Sequence, residues 1–401
     1  MMDREKIAKE LSFKTDSKII LLVIDGLGGL PRNGKTELET AHTPNLDRLA
    51  AQSVCGLTDP VFMGITPGSG PAHLALFGYD PTKYLLGRGI LEAIGLDIEV
   101  GKEDLVARGN FATLKGDVIV DRRAGRIPTN VNDKICQKIN ASIQGKDGTG
   151  IVLYPGKEHR FVVKFSGKGL SDELSDADPQ KEDKPRAYTE PLSPGATHTA
   201  EIINAFLDDA TAILHDEPKA NTILLRGFSK YPSIPSMKEL YKLSPVAIAN
   251  YPMYKGLARL VGMDVLSVGP HMEELFSNAE KHYKDYDFFY VHVKKTDSAG
   301  EDGNFEAKVQ VIEEVDGYIP RLLALQPAVL VVTSDHSTPC QIKGHSWHPN
   351  PFLLFSSTAQ VDHVTRFSER DCANGYLGRF HAVFAMPLMM AHAGKLKKFG
   401  A

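Results

Sequence analysis

Ile19-Ile20-Leu21-Leu22-Val23-Ile24, followed at once by Asp25-Gly26, is the stretch whose reading decides the fold. An unbroken apolar run without polar alternation describes a strand buried on both faces, the habit of parallel sheets covered by helices on either side. The C-terminal end of such a strand is where open α/β sheets place ligands, which makes Asp25 a candidate binding group. Thr43-Pro44 then opens a predicted helix with a capping hydroxyl and a proline at the first helical position. Leu46, Leu49 and Ala50 follow at helical spacing.

The same logic returns towards the C-terminus. Phe288 to Val293 reads as a strand, and Phe305, Val309, Ile312, Val315 and Ile319 form an amphipathic helical stripe leading to a second buried strand at Ala328 to Val332. Pro351 to Phe355 predicts a further strand. Strands alternating with helices mean an α/β fold with a mostly parallel sheet flanked by helices. The middle has a different texture: Val118-Ile119-Val120, Ile151-Val152-Leu153 and Phe161-Val162-Val163 are short β-like runs between glycine-containing turns. We therefore expect residues 1–100 and 241–401 to form one domain, with 101–240 an inserted smaller α+β domain. Ser171 to Pro185, rich in Asp, Lys, Ser and Pro, reads as a long polar loop, either mobile or at a substrate cleft.

Composition narrows the partners. With 401 residues, 42% hydrophobic and a formal charge of −4, the chain supports a full core and offers no basic field for nucleic acid, though a small anionic substrate remains open. Met1 to Lys18 lacks the apolar stretch of a signal peptide, and no segment approaches the roughly 20 apolar residues of a membrane span. The expected location is the cytoplasm. Cys55, Cys136, Cys340 and Cys372 are scattered without paired spacing, which suits reduced thiols.

Several clusters carry chemistry. Asp335-His336, directly after the second apolar strand and followed by His345, makes an oxygen and nitrogen set for a divalent metal, with His348 as a competitor to His345. Asp297 and Glu301, four apart, share one side of a predicted helical turn. Asp25, Asp297, Glu301 and Asp335 supply four negative charges, the number that two divalent cations would balance. Ser69, in Gly68-Ser69-Gly70-Pro71, is hemmed by residues that let backbone N–H groups approach a phosphate, and needs a base or a metal to become a nucleophile. The Ser69 neighbourhood lacks the hydrolase-elbow spacing, and Gly26-x-Gly28-Gly29 lacks that of the dinucleotide fingerprint. His73, four residues beyond Ser69, could orient the serine or shuttle a proton. An ordinary helical histidine explains it equally well.

In order and content these motifs resemble the alkaline phosphatase superfamily, and more closely the archaeal-type 2,3-bisphosphoglycerate-independent phosphoglycerate mutases. The likeness is carried by Leu22-Val23-Ile24-Asp25-Gly26-Leu27-Gly28-Gly29, Thr43-Pro44-Asn45-Leu46-Asp47, and Ile65-Thr66-Pro67-Gly68-Ser69-Gly70-Pro71. Ala107-Arg108-Gly109-Asn110-Phe111, Asp121-Arg122-Arg123-Ala124-Gly125-Arg126, Tyr251-Pro252-Met253-Tyr254-Lys255-Gly256 and the Asp297 and Asp335 motifs extend it over nearly the whole chain. The resemblance implies an alkaline-phosphatase-like sheet and one metal on Asp25, Ser69, Asp335 and His336. A second metal would rest on Asp297, His345 and Glu301, the last standing where better-known members carry histidine. Mn²⁺ is the first expectation for both, with Mg²⁺, Co²⁺ or Zn²⁺ as alternatives.

The activity it implies is interconversion of 3- and 2-phosphoglycerate through a phosphoserine at Ser69, without 2,3-bisphosphoglycerate, as in glycolysis and gluconeogenesis. Arg122, Arg123, Arg126, Arg160 and Arg226 are candidates to hold the glycerate carboxylate, and Lys255 resembles a phosphate-contacting lysine. The inserted domain would serve to bind substrate and exclude water. Two other readings stand beside this one: a phosphomonoesterase or a mutase for another phosphorylated metabolite on the same scaffold, and a non-catalytic relative that binds phosphorylated ligands. The sequence leaves the native metal and the oligomeric state open.

Overall fold

The computed structural model describes residues 4–400; residues 1–3 and 401, the ends of the expected first domain, lie outside the described residues. The chain divides into two compact units, one of residues up to Leu85 together with those from Ile234 onward, the other Leu86–Ser233. The sequence reading draws the insertion at 101–240. Its front edge falls earlier in the structure because the helix Arg88–Gly95 seals against the sheet of this unit. A Cβ on Gly89 would come within 2.5 Å of the Val106 carbonyl oxygen and 2.6 Å of that of Gly227.

The first unit is built on an eight-stranded sheet. Ile19–Ile24, buried at every position, lies between Phe288–Val293 and Val329–Thr333 and runs parallel to both. Pro245–Ile248 and Asp264–Val265 continue the parallel set on one side. On the other side Asn350–Phe355 runs antiparallel to both of its neighbours, Val329–Thr333 and Val54–Asp59, and Gly378–His381 closes that edge. The chain from Thr333 to Asn350 contains no helix to carry it over the sheet, so the strand it feeds runs back the opposite way. The helix Phe305–Ala324 packs Ile312, Val315, Ile319 and Leu322 into the core formed by Ile20, Leu22 and Ile24.

The helix Pro44–Ala50 forms as expected, but its N-terminus is capped differently. Thr43 makes no side-chain cap; the carboxylate of Asp316, on Phe305–Ala324, accepts from the Asn45 amide at 3.0 Å and the Leu46 amide at 2.7 Å. A charged acceptor satisfies the orphan N–H groups and also favours the positive end of the helix dipole, so it displaces a neutral hydroxyl.

The second unit is α+β. Its six strands pair antiparallel, with the long strand Asp104–Lys115 bonded to Arg160–Ser166, Thr222–Lys230 and Val118–Asp121. The helices Thr129–Ser142 and Thr197–Ile213 bury Ile135, Ile139, Phe206 and Leu207 against Phe111, Phe161 and Phe165. Truncating either ring of the Phe111–Phe161 pair, 4.6 Å between centroids, would cost about 3–5 kcal/mol. All four cysteines are free and buried. Among the described residues no helix is long and apolar enough to cross a membrane.

Candidate active site

Three adjacent parallel strands deliver the acidic groups to one end of the sheet. Ile19–Ile24 ends at Asp25, Phe288–Val293 leads into the helix Lys295–Glu301 that carries Asp297, and Val329–Thr333 leads to Asp335 and His336. Because the strands are in parallel register, with Val23 opposite both His292 and Thr333, residues just past their ends must converge. Gly26 permits the turn: its φ is +65°, and a Cβ there would lie 2.6 Å from Thr338 Oγ1 and 2.8 Å from Asp297 Cβ. Asp25, Asp297 and Asp335 are wholly buried.

His336 sits at the centre. Its Nε2 lies 3.1 Å from Asp335 Oδ2, 3.4 Å from Asp25 Oδ1 and 3.3 Å from Ser69 Oγ. Ser69 is the first residue of the helix Ser69–Leu76, so its hydroxyl stands where the helix end favours negative charge. His345 stacks on His336 at 3.6 Å between ring centroids and faces Asp297 Oδ1 at 3.8 Å. Its Nδ1 lies 3.0 Å from the Pro67 carbonyl. A carbonyl only accepts, so Nδ1 carries a proton, and Nε2 is the ring nitrogen that faces Asp297.

Burial drives both Asp25 and Asp335 towards the neutral form. At Asp25 the neighbouring His292 and the Lys294 ammonium outweigh it and hold the carboxyl well below the ordinary range. At Asp335 the charges of Asp25 and Asp297 add to burial and push it well above. Burial also lowers His336 to about 3, keeping it neutral. Both oxygens of Asp25 and Oδ2 of Asp335 are buried without a hydrogen bond. Such a convergence of lone pairs is unfavourable unless a cation accepts them, and its oxygen and imidazole donors suit a divalent metal. The residues therefore fit the metal that the resemblance implies.

Two three-residue groups meet this description, Asp25 with Asp335 and His336, and Asp297 with His336 and His345. Glu301 joins neither. It ends its helix in an exposed position, and burial together with Asp297 raises its carboxyl. His348 bonds Ser346 through Nδ1 and also belongs to neither group. His73 is fully buried, with Nδ1 2.9 Å from the carbonyl of Ser69, and burial holds it neutral with its pKa lowered to about 3. It thus braces the backbone that carries the serine, with no hydrogen bond to the serine hydroxyl. Lys255, on the helix Pro252–Leu260, pairs with no acid among the described residues.

Three site residues escape the sequence reading. Lys294 Nζ lies 3.2 Å from Asp25 Oδ2, contacts Asp297 Oδ2 and donates to the Tyr254 hydroxyl at 3.3 Å. Burial opposes its charge, but Asp25 and Asp297 prevail and raise it. His292 Nε2 lies 3.2 Å from Asp25 Oδ2 without hydrogen-bonding geometry, and Tyr254 packs on its ring at 3.8 Å. Lys294 and His292 offer only positional signals, since Lys294 precedes Asp297 by three residues and His292 interrupts an otherwise apolar strand, whereas Tyr254 lies inside the Tyr251–Gly256 motif, which assigned it no role.

The second unit holds a different centre. Arg122, Arg123, Arg126, Arg160 and Arg226 line one cavity of about 360 Å³ with Arg88, Arg108, Asn110, Glu158 and His159. Arg122 forks onto the buried Asp178 at 3.0 and 2.6 Å, and Arg226 reaches Asp176 at 3.4 Å. Both acids belong to the stretch read as a polar loop. It is pinned rather than free, because Ala177 exchanges backbone hydrogen bonds with Leu225 at 2.9 and 3.2 Å. Arg88, Arg108, Arg123 and Arg160 donate no side-chain hydrogen bond to an acid among the described residues.

A family model described as 2,3-bisphosphoglycerate-independent phosphoglycerate mutase matches residues 50–220. A protein of Thermosipho africanus described as a probable 2,3-bisphosphoglycerate-independent phosphoglycerate mutase is 55% identical, covering 100% of each chain. One so described from Thermus thermophilus is 50% identical over the same full lengths. The solved structure of a cofactor-independent phosphoglycerate mutase from Thermoplasma acidophilum is 33% identical, covers 94% of this chain and 100% of its own, and superposes with a TM-score of 0.76. A solved structure from Pyrococcus horikoshii gives 31%, 96%, 100% and 0.82. With full-length identity of this order beneath a shared fold, the chain belongs to the 2,3-bisphosphoglycerate-independent phosphoglycerate mutases.

Proposed function

We propose that this protein interconverts 3-phosphoglycerate and 2-phosphoglycerate through a phosphoserine at Ser69, without 2,3-bisphosphoglycerate, and that it does so in the cytoplasm. The observation that carries the proposal is the placing of Ser69 Oγ, at a helix N-terminus, 3.3 Å from His336 Nε2 and beside the unpaired oxygens of Asp25 and Asp335. Asp25, Asp335 and His336 with Ser69 would hold one divalent metal. Asp297 and His345 would hold a second, with Glu301 as the outlying candidate, and Mn²⁺ is the first choice for both. Bound there, the metals would lower the pKa of the serine hydroxyl and neutralise the phosphoryl oxygens.

The chain's own groups do the rest. Ser69 Oγ attacks phosphorus in line as the P–O bond to the 3-oxygen of the glycerate breaks, and the proton that Oγ gives up ends on that departing 3-oxygen. Lys294 supplies a fixed positive charge beside the carboxylates. The guanidinium groups of the second unit have the chemistry to hold the glycerate carboxylate while the molecule turns. The 2-hydroxyl then attacks the phosphoserine, the P–Oγ bond breaks, and the proton of the 2-hydroxyl ends on Ser69 Oγ.

The test is to strip the protein with a chelator and reconstitute it separately with Mn²⁺, Mg²⁺, Co²⁺ and Zn²⁺, scoring both 2-phosphoglycerate and free phosphate. Mutase product in excess, with no bisphosphoglycerate added, supports the proposal. Phosphate in excess would make the protein a phosphomonoesterase, and metal uptake without turnover a binding protein.

A further inference from the structure

We infer that Thr338 is a positioning residue whose hydroxyl relays a hydrogen bond from His336 to Asp297, fixing the imidazole so that an unprotonated Nε2 faces Ser69. This deepens the reading of the metal site and rests on it for its functional meaning. The geometry itself is independent of any metal.

Thr338 Oγ1 donates to Asp297 Oδ1 at 2.6 Å and lies 3.0 Å from His336 Nδ1. A hydroxyl has one proton. The carboxylate can only accept it, so the hydroxyl oxygen is left to accept from Nδ1–H. With its single neutral-form proton on Nδ1, His336 has a bare lone pair on Nε2, at 3.1–3.4 Å from Asp335, Ser69 and Asp25. The chain Nδ1–H to Oγ1–H to Oδ1 also couples the two ligand groups: the residue that orients a ligand of the first is held by an acid of the second. The relay separates their duties as well, because it occupies the Nδ1 that lies 3.9 Å from Asp297 and leaves His336 to the first group.

Thr338 has no freedom to do otherwise. It is fully buried, its amide donates to the Gly28 carbonyl at 3.0 Å, and its own carbonyl accepts from Lys308 Nζ at 2.9 Å. A Cβ on Gly26 or Gly300 would collide with it. Lys308, wholly buried, also donates to the Gly28 carbonyl at 3.0 Å and lies 4.0 Å from Glu37. One ammonium therefore ties the loop after Asp25 to the loop after His336. A buried lysine is costly unless such acceptors surround it.

The test compares the full chain with Thr338→Val, which keeps the shape and removes the hydroxyl, and Thr338→Ser, which keeps the hydroxyl. In ¹⁵N-histidine-labelled, metal-free protein, the His336 ring, identified by its absence in His336→Gln, should be the Nδ1–H tautomer. It should lose that single state in Thr338→Val and regain it in Thr338→Ser. Calorimetric titration with Zn²⁺ should show affinity falling about 10- to 100-fold in Thr338→Val and within about 3-fold of the parent in Thr338→Ser. An Nε2–H tautomer in the unmodified protein overturns the inference, whether or not the variants fold. So does a Thr338→Val protein with unaltered tautomer and affinity. Failure of the mutase reading would show separately, as missing turnover in an unmodified protein whose tautomer is as stated.

Discussion

The two centres of this protein are opposites in charge and in hydration, and the contrast indicates what each can hold. The first gathers acceptors: Asp25, Asp297, Asp335 and the Nε2 atoms of His336 and His345 converge with one ammonium, Lys294, among them. The second gathers donors, guanidinium groups around a cavity of about 360 Å³ in which Arg122 and Arg226 are tied to acids. In the acidic centre three carboxylates lie at zero exposure. It suits a dehydrated cation that stays. The basic centre is a cavity, so its charges keep part of their hydration and suit an anion that comes and goes. Burial, more than the sign of the charge, separates a resident ligand from an exchanging one.

This contrast can be broken most directly at the acidic centre. Ser69→Ala should lower mutase turnover by on the order of 1,000-fold or more and abolish the added phosphate mass on the intact protein, with Asp335→Asn comparably inactive. A phosphate adduct surviving in Ser69→Ala would remove the nucleophile from the account. Chelation should act on the same scale and be reversed by adding metal.

At the basic centre the effect should be smaller and of another kind. Arg108→Met removes a guanidinium that donates no hydrogen bond to an acid, so KM should rise about 10- to 100-fold while the chain stays close to the parent in stability. Arg122→Leu should do the same and also cost about 2 kcal/mol in urea denaturation, because the buried Asp178 loses its fork and keeps only Arg226 at 3.5 Å and the Gln180 amide at 2.8 Å. Equal stability of the two variants would mean that the fork on Asp178 contributes nothing.

Glu301 sharpens the boundary of the acidic centre. Standing outside both ligand groups, Glu301→Gln should weaken Mn²⁺ binding by less than about 10-fold in calorimetry, against about 100-fold or more for Asp297→Asn. Parity between the two would bring Glu301 into the coordination sphere.

The effect confined to acid conditions is a pH dependence. His159, beside the arginines, is lowered to about 4 by burial and by Arg160, with Arg123 and Arg108 adding to the same direction. The unfolded chain binds a proton near the ordinary 6.5 and the folded chain only near 4. The stability this site contributes is thus complete above pH 6.5 and is lost as pH falls through that window. The melting temperature of His159→Asn should fall less steeply than that of the parent between pH 6.5 and 4.

Legibility followed the range of the interactions. The central strand, its two parallel neighbours and the convergence of Asp25, Asp297, Asp335 and His336 were readable because a fully apolar run has one favourable environment and its C-terminal end has one role. Contacts between distant segments were not. Thr43 has the residue type of a helix cap, yet Asp316, 271 residues away from Asn45, takes that place. Lys294 looks like an ordinary charge after a strand until Asp25 is brought beside it. The run from Ser171 to Pro185 has a loop's composition, and only the fold shows Asp176 and Asp178 turned towards arginines.

What the sequence determined by itself is the kind of chemistry: which side chains carry lone pairs, which carry charge, and which strands must be buried to bring them to one edge. Hydrophobic period and residue type are local properties and survive being read one chain position at a time. The tertiary structure alone decided which nitrogen faces which partner, which acid is pushed towards its neutral form, and which arginine is already engaged. Those depend on distances of a few ångströms between residues hundreds of positions apart, and on how completely water is removed from around them.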